Sequence, residues 1–379
     1  MSAVSIIGCG FVADLYMASL ATFPDLRVVS VWDHDSTRLQ AFCAHYGLNA
    51  AASMEDLLAR HPATGVVVNL TNPHSHYDVN KACLIAGAHV YSEKPLATDM
   101  QQATELHAIA AQQSLILASA PCSVLGEAAQ TMGHALRNGT AGTPRLIYAE
   151  LDDGFIPQAP YRDWRSTTGA PWPAEDEFNV GCTLEHAGYY LGWLIAWFGS
   201  VRKLVAASAE VLPDKPGSTD LSGQPGTPDF STAVLFFEDG PVTRLTCSIA
   251  APHDQRIRVI GDDGVLQLKQ AWNNAAPVKY HRRLRIRRRL LEHPLGRRIK
   301  LAQPTHPKVG RWGAAAMNFA LGPVEVLTAI AENRLCRLSN AYSLHLNEVT
   351  LAIQNADEDA GAQIMTTRCE RMEPMPWAR

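Results

Sequence analysis

The chain has no C-x-x-C pair, no cysteine and histidine spacing of a zinc site, no coiled-coil heptads and no internal repeat. Those absences exclude a disulfide framework, a structural metal and a repeat array as the organising device. Its eight cysteines are scattered and read as buried or free thiols, and no metal is expected. No apolar run approaches the ~20 residues of a membrane-spanning helix. The N-terminus offers no basic segment followed by a hydrophobic stretch and a cleavage site. Together these set the expectation of a cytoplasmic protein.

What is present has the composition of an ordinary globular protein, 47% hydrophobic and 18% charged. A length of 379 residues is too great for one core and predicts two domains. The net charge of -4 conceals an uneven distribution. Of 33 lysines and arginines, 12 fall between 279 and 311, where Glu292 is the one acid. That segment carries +11 and the remainder -15, so it has a surface, or partners, unlike the rest.

The most informative stretch is the start. Val4-Ser5-Ile6-Ile7 breaks into Gly8-Cys9-Gly10-Phe11-Val12-Ala13 and then into an amphipathic run, which reads as strand, glycine turn and helix. In that arrangement Gly8 turns the chain out of the strand, Gly10 admits a pyrophosphate to the helix N-terminus, and Ala13 lets the helix lie on the sheet. Glycine pairs also punctuate ordinary turns, so the supporting feature is an acid about 20 residues further on, at the end of a second strand. The apolar run 27–32 ends at Asp33. Its carboxylate can accept from both adenosine ribose hydroxyls and repels a 2′-phosphate, which favours NAD over NADP, while Arg38 offers a competing phosphate contact.

The alternation continues. Ser36 reads as the N-cap of a helix to 45, followed by a short helix near 54–60 and a nearly all-apolar strand at 65–70. The loop Thr71-Asn72-Pro73-His74-Ser75-His76 opens a helix to 86, and a strand at 89–91 ends in Ser92-Glu93-Lys94-Pro95. A helix over 99–113 and a strand at 115–118 complete a doubly wound, dinucleotide-binding α/β domain over 1–120. Beyond it the texture changes. Helices are expected at 124–137 and 183–198, and an irregular proline-rich stretch at 153–176 reads as an active-site loop or lid. Runs at 144–151, 203–211, 231–237, 242–249, 257–260 and 265–268 predict a mostly antiparallel open sheet. A Gly, Ser and Pro-rich loop at 218–228 and closing helices at 313–333 and 342–355 complete an α+β second domain, 121–379, with the basic stretch 279–311 as an insertion.

The glycine turn, the Thr71 to His76 loop and Glu93-Lys94-Pro95, in this order and at these separations, resemble the Gfo/Idh/MocA oxidoreductase family over essentially the whole length. The resemblance implies a Rossmann domain followed by a domain whose open antiparallel sheet carries helices on one face, and a homodimer or homotetramer. It implies that Glu93-Lys94-Pro95 lies beside the nicotinamide, that Lys94 contacts the substrate and helps proton transfer, and that a cis bond precedes Pro95. It also implies that Thr71, Asn72, Pro73 and His76 line the nicotinamide end. Elementary chemistry agrees for Lys94, which directly follows a strand where such sheets bind ligands. An ammonium pushed toward neutrality by desolvation and a nearby cation exchanges a proton with an alcohol. The bland alternative is a surface lysine paired with Glu93.

One element departs from the family. A helix of the second domain usually carries an Asp and, four residues on, a catalytic His. Aligned by its end at Trp197-Phe198-Gly199, the helix here has Glu185 and Tyr189 at those positions. Tyrosine is a poor base at its ordinary pKa of ~10, but beside Lys94 its phenolate is favoured, so a Tyr189/Lys94 couple could move a proton. His186 is the other candidate, about 100° around the helix from Glu185, and needs a shifted helix to face the site. Glu185 is expected to orient the substrate or the catalytic side chain. The bland alternatives are a helix N-terminus stabilised by its acid and tyrosines that pack the core. Arg162, Trp164 and Arg165 are expected to close over the substrate, or else to be surface loop residues.

The sequence thus sets the expectation of an NAD-dependent oxidoreductase acting on a secondary alcohol of a sugar, cyclitol or sugar nucleotide. Two alternatives stay open: an enzyme whose bound NAD is recycled during elimination or hydrolysis through a ketone, and a non-catalytic NAD-binding scaffold at a membrane surface. In the basic stretch, arginines alternate with aliphatics. That composition suits anionic lipid headgroups through 279–301, at the inner face of the membrane, or the phosphates of a nucleotide- or lipid-linked sugar. It equally suits a solvated insertion or an acidic patch on a sister subunit. Nucleic acid is not expected, because only Tyr280 and Trp312 offer stacking platforms nearby.

Overall fold

A computed structural model describes residues 2–215, 226–311 and 313–379, so Trp312 and most of the expected loop at 218–228 lie outside the described residues. The chain opens with β1 (Ser2–Ile7), α1 (Phe11–Leu20), β2 (Leu26–Trp32), α2 (Ser36–Tyr46), α3 (Met54–Arg60) and β3 (Val66–Asn69). It continues with α4 (His76–Ile85), β4 (His89–Ser92), α5 (Met100–Gln112) and β5 (Leu117–Ser119). All five strands are parallel, in the order β2-β1-β3-β4-β5. The connections run outward from β1 to β2 and then return to β3, so the carboxyl end of β1 is the switch point where such sheets bind ligands. Every residue of β3 is buried. Val66 and Val68 join the core beneath α1, and Val67 joins the one beneath α4 and α5, as a central strand covered on both faces requires. Asp35, and not Ser36, caps α2: its carboxylate accepts from the N–H groups of Thr37 and Arg38. The negative charge sits at the positive end of the helix dipole.

The remaining elements are α6 (Glu127–Arg137), β6 (Pro144–Phe155), α7 (Ala174–Val180), α8 (Gly188–Phe198), β7 (Val201–Ala209), β8 (Phe230–Phe237) and β9 (Val242–Ser248). Then come β10 (Ala250–Asp254), β11 (Ile257–Gly261), β12 (Gly264–Leu268), β13 (Lys279–Ile286), β14 (Arg289–Glu292) and β15 (Arg297–Arg298), and finally α9 (Leu321–Ala331), α10 (Asn340–Gln354) and β16 (Ala362–Ile364). These strands form one 11-stranded sheet, antiparallel except where β6 runs parallel to β9. The basic stretch supplies β13, β14 and β15: β13 pairs with β12 as far as Arg282, and β14 and β15 pair with β13.

The two closing helices return to the first domain. α9 packs against β3, β4 and β5, where Gly322 leaves room for the ring of Tyr91, and α10 packs on both α5 and α8. The apolar segment Gly313–Ala331 has the length and composition of a membrane span, but most of it is buried in this packing. The C-terminal helices therefore complete the cover of the parallel sheet and hold it against α8. A small pocket is lined by Lys94 and Ser119, at the ends of β4 and β5, and by Leu184 and Gly188, at the start of α8.

Candidate active site

At the nucleotide end, Gly8 has φ +100°, and a Cβ there would stand 2.6 Å from the backbone carbonyl of Leu70, so β1 and the loop after β3 touch through this glycine. Gly10 caps α1 without any side-chain hydrogen bond, and a Cβ on it would meet only Arg38 Nη1, at 3.9 Å. The first turn of α1, with Phe11 and Val12, therefore presents amides to open space, which fits a pyrophosphate. Cys9 contributes through its backbone: its N–H donates to Asp33 Oδ2 at 2.7 Å, and the N–H of Asp35 donates to Oδ1 at 2.8 Å. Its thiol is buried, and burial followed by the charge of Asp33 pushes the thiol pKa far up. Asp33 is thus a buried carboxylate fixed across the glycine turn. Arg38, paired with Asp35 at 3.3 Å, stands beside it.

At the ends of β3 and β4, the buried Asn69 Oδ1 accepts from Thr71 N at 3.2 Å and Thr71 Oγ1 at 2.7 Å. Asn72 Oδ1 accepts from Ser75 N at 3.0 Å and so caps the turn Pro73–Ser75. His76, expected at the nicotinamide end, has both ring nitrogens engaged by backbone carbonyls. It is fully buried, with Nδ1 2.6 Å from the Pro95 carbonyl and Nε2 3.0 Å from the Thr71 carbonyl. The ring therefore clamps the two loops together. Burial lowers its pKa, although both carbonyls and Glu93 act the other way. The Lys94-Pro95 bond is cis, as the resemblance implies.

Glu93 is buried and occupied elsewhere than by the Lys94 ammonium: Oε1 accepts from the Tyr16 hydroxyl at 2.6 Å and Oε2 from the Lys94 N–H at 3.1 Å. Lys94 Nζ instead forms an ion pair with Glu185 Oε2. Glu185 lies on a single π turn, Thr183–Ala187, that precedes α8. Glu185 reaches Lys94 while its neighbour His186 reaches Asp153, with Nε2 to Oδ2 at 3.3 Å. Tyr189 joins the same cluster, its ring 6.0 Å from that of Trp272, which also lies 6.3 Å from His186 and 5.9 Å from His253. The expected phenolate is corrected here. Burial, and after it the charge of Glu93, pushes the Tyr189 pKa well above its ordinary value, and Lys94 is paired with Glu185. These surroundings favour the neutral phenol over the phenolate.

Asp153, His253 and Trp272 were not singled out by the sequence. Asp153 ends the β6 face, and His253 lies on β10 where the β6 register slips between Ala251 and Asp254. Such a bulge re-aims a side chain, and His253 Nδ1 stands 3.7 Å from Asp153 Oδ1. Burial acts to raise the Asp153 pKa, but its two histidines outweigh that and hold it below 3.8, while the Asp153 hydrogen bond raises His253 above 6.5. Two buried polar atoms of this cluster, His186 Nδ1 and Trp272 Nε1, have no hydrogen-bond partner among the described residues.

The proline-rich stretch is fastened to the nucleotide end. Asp14 Oδ2, on α1, accepts from both the N–H and the hydroxyl of Thr168 at 2.9 Å, and Oδ1 accepts from Tyr46 at 2.6 Å. The three residues expected over the substrate are not gathered at Lys94. Arg162 stacks on Tyr161 at 5.5 Å, Trp164 packs edge-on to Trp172 at 5.2 Å, and Arg165 donates to the Arg162 and Trp164 carbonyls.

Residues 3–120 match the family model GFO_IDH_MocA, described as an oxidoreductase family with an NAD-binding Rossmann fold, and residues 129–267 match the GFO/IDH/MocA C-terminal domain. Trans-1,2-dihydrobenzene-1,2-diol dehydrogenase of Mus musculus is 25% identical over 271 residues, covering 70% of this chain and 74% of the relative. The dTDP-3,4-didehydro-2,6-dideoxy-alpha-D-glucose 3-reductase of Streptomyces antibioticus is 27% identical over 264 residues, covering 70% and 73%. Among solved structures, the WlbA dehydrogenase of Bordetella pertussis, in complex with NADH and UDP-GlcNAcA, superposes with a TM-score of 0.70 at 18% identity, covering 96% of this chain and 98% of that one. At that identity the likeness shows the fold alone.

Proposed function

The chain belongs to the Gfo/Idh/MocA oxidoreductases, and from that premise we propose that it is an NAD-dependent dehydrogenase or reductase acting on a secondary alcohol of a sugar, cyclitol or sugar nucleotide. The observation that carries this reading is the Lys94–Glu185 ion pair, which brings an ammonium from the end of β4 against the helix of the second domain. The relatives named for a diol and for a dTDP-sugar support a substrate with oxygens on adjacent carbons. The Gly8 to Val12 turn and Asp33 would hold the cofactor, and its nicotinamide would supply the two-electron exchange with the substrate carbon.

The protein's part is to bind the oxygen and move its proton. In the direction of ketone reduction, Lys94 Nζ gives the proton that completes the hydroxyl and is left as an amine beside Glu185; oxidation runs the same path in reverse. Such positioned proton transfer contributes about 10²- to 10⁴-fold. Tyr189, a phenol throughout, donates a second hydrogen bond to the reacting oxygen. His186, steadied by Asp153, takes the hydroxyl on the adjacent carbon. The unpartnered His186 Nδ1 and Trp272 Nε1 are polar positions that such hydroxyls satisfy.

The reading is tested by incubating the purified protein with NAD or NADP and a panel of sugars, cyclitols, trans-diols and nucleotide sugars while following the near-ultraviolet absorbance of reduced nicotinamide. Reduction of NAD with at least one polyol is the expected result. Product without net reduced cofactor would replace the reading with an internally recycled NAD, and no chemistry with any substrate would remove it.

A further inference from the structure

We propose that the hairpin β13–β14 is an arm that docks the protein on an anionic lipid surface. β13 pairs with β12 only as far as Arg282; beyond that point the hairpin pairs with itself, Arg283 opposite Glu292, Leu284 opposite Leu291, Arg285 opposite Leu290 and Ile286 opposite Arg289. Its root is pinned. The Arg283 guanidinium donates to the Gly261 carbonyl at 2.7 Å, and Glu292 is held by Arg258 and, at 3.6 Å, by His281. The arm beyond that root projects as a defined element with Arg287 and Arg288 at its tip.

Two properties of the arm coincide. From 279 to 300 it carries ten lysines and arginines against one acid. With Glu292 already engaged, none of Arg282, Arg285, Arg287, Arg288 and Arg289 meets a carboxylate among the described residues. The second property is apolar exposure at the same place: Ile286 is 55% exposed, Leu290 62% and Leu295 78%. Guarding a sheet edge with cations explains the arginines, but it leaves these aliphatics in water without a reason.

The distribution over the two faces identifies the partner. Residues opposite one another share a face, so Leu284, Leu291 and Ile286 lie with Arg289 on one side, and Leu290 lies with Arg285 and Arg283 on the other. A flat protein patch would be met by one face. Aliphatics ringed by guanidiniums on both faces suit an element that enters a layer tip first, its apolar side chains at the acyl boundary and its cations among phosphates. Nucleic acid is disfavoured by the lack of aromatics at the tip: Tyr280 lies at the root, its hydroxyl bonded to the Asp263 carbonyl at 3.1 Å. A twofold contact through the arm would oppose two sets of like charge.

The test is co-sedimentation of the full chain with vesicles of phosphatidylcholine alone or mixed with phosphatidylglycerol. The expected result is association with the anionic vesicles at low salt, none with the neutral ones, and release near 0.5 M salt, on the order of a Debye length shorter than the arm. Replacing Arg287, Arg288 and Arg289 together by Ser should weaken binding roughly tenfold or more. Leu290→Ser with Leu291→Ser should weaken it at unchanged charge, while both variants melt at the wild-type temperature. No association at low salt, or association that neither variant weakens, would overturn the proposal. So would tighter binding to duplex DNA or RNA than to vesicles, or a change of oligomeric state in the variants that accounts for the loss.

Discussion

Lys94 and Glu185 are ion-paired, one on the turn after β4 and the other on the π turn before α8. Glu185 is 3% exposed and Lys94 19%, so the acid has little water to fall back on and the lysine keeps some. The pair therefore fixes the position of the ammonium and also joins the two halves of the site.

Lys94→Ala should lower kcat by about 10²- to 10⁴-fold, the usual worth of a positioned proton carrier, and leave the NAD dissociation constant within a few-fold. Glu185→Gln keeps the shape and removes the charge, so it should lower kcat less and shift its pH dependence. Steady-state kinetics beside a cofactor titration separates the two effects. A Lys94→Ala enzyme with unchanged kcat would show that the proton travels by another route.

The raised pKa of Tyr189 means that its proton stays on at neutral pH. Tyr189→Phe should therefore lower kcat by roughly tenfold, the worth of one hydrogen bond, without moving either limb of the pH profile. Loss of a limb in Tyr189→Phe would restore tyrosine as the titrating base, and full activity would remove it from the site.

Asp153 and His253 make stability depend on pH in a defined window. A histidine raised above 6.5 in the fold adds stability that is complete below that value and is lost as pH rises through the folded pKa. A carboxyl held below 3.8 adds stability above that value and loses it as pH falls through the depressed one. Their joint contribution therefore spans mildly acidic pH. Asp153→Asn should lower the melting temperature more near about pH 6 than near about pH 9. Equal losses at the two pH values would mean that His253 does not titrate with Asp153.

Gly8 and Gly10 should respond oppositely to alanine. At Gly8 the backbone has φ +100° and the new Cβ would press on the Leu70 carbonyl at 2.6 Å. Strain and overpacking of about 1–3 kcal/mol each should lower the melting temperature by several degrees. At Gly10 the nearest atom is the tip of Arg38, at 3.9 Å, so alanine should leave stability unchanged and weaken cofactor binding. Calorimetry with and without NAD distinguishes them. Equal melting of the two variants would remove the division of labour.

The parallel sheet, the glycine turn and the lysine after β4 were legible because each is a local pattern: a four-residue apolar strand, a turn between strand and helix, a motif at a strand end. His253 and Asp153 were not, because their meeting depends on a slipped register between β10 and β6, which no local spacing encodes. The contact between His186 and Asp153 was likewise invisible. An ideal helix carries His186 about 100° away from Glu185, and the π turn at Thr183–Ala187 is where it meets Asp153. His76 sits in the recognised loop, where the resemblance implied a place at the nicotinamide end; in the fold its two ring nitrogens face two backbone carbonyls.

On the proposed reading, cofactor choice turns on Asp33, whose carboxylate would oppose a 2′-phosphate, and Arg38, whose guanidinium would favour one. Asp33 is fixed by the Cys9 and Asp35 amides, so its charge cannot swing away from a 2′-phosphate. Asp33→Ser should weaken NAD binding by about 10- to 100-fold, the worth of hydrogen bonds to a charged group, and narrow or invert the preference over NADP. Part of that loss would come from the released Cys9 amide and not from the ribose. Asp33→Asn discriminates, because it keeps an acceptor for Cys9 while removing the charge: it should retain more NAD affinity than Asp33→Ser yet accept NADP equally well. Tighter NADP than NAD binding in the unmodified protein would mean that Arg38, released from Asp35, sets the preference instead.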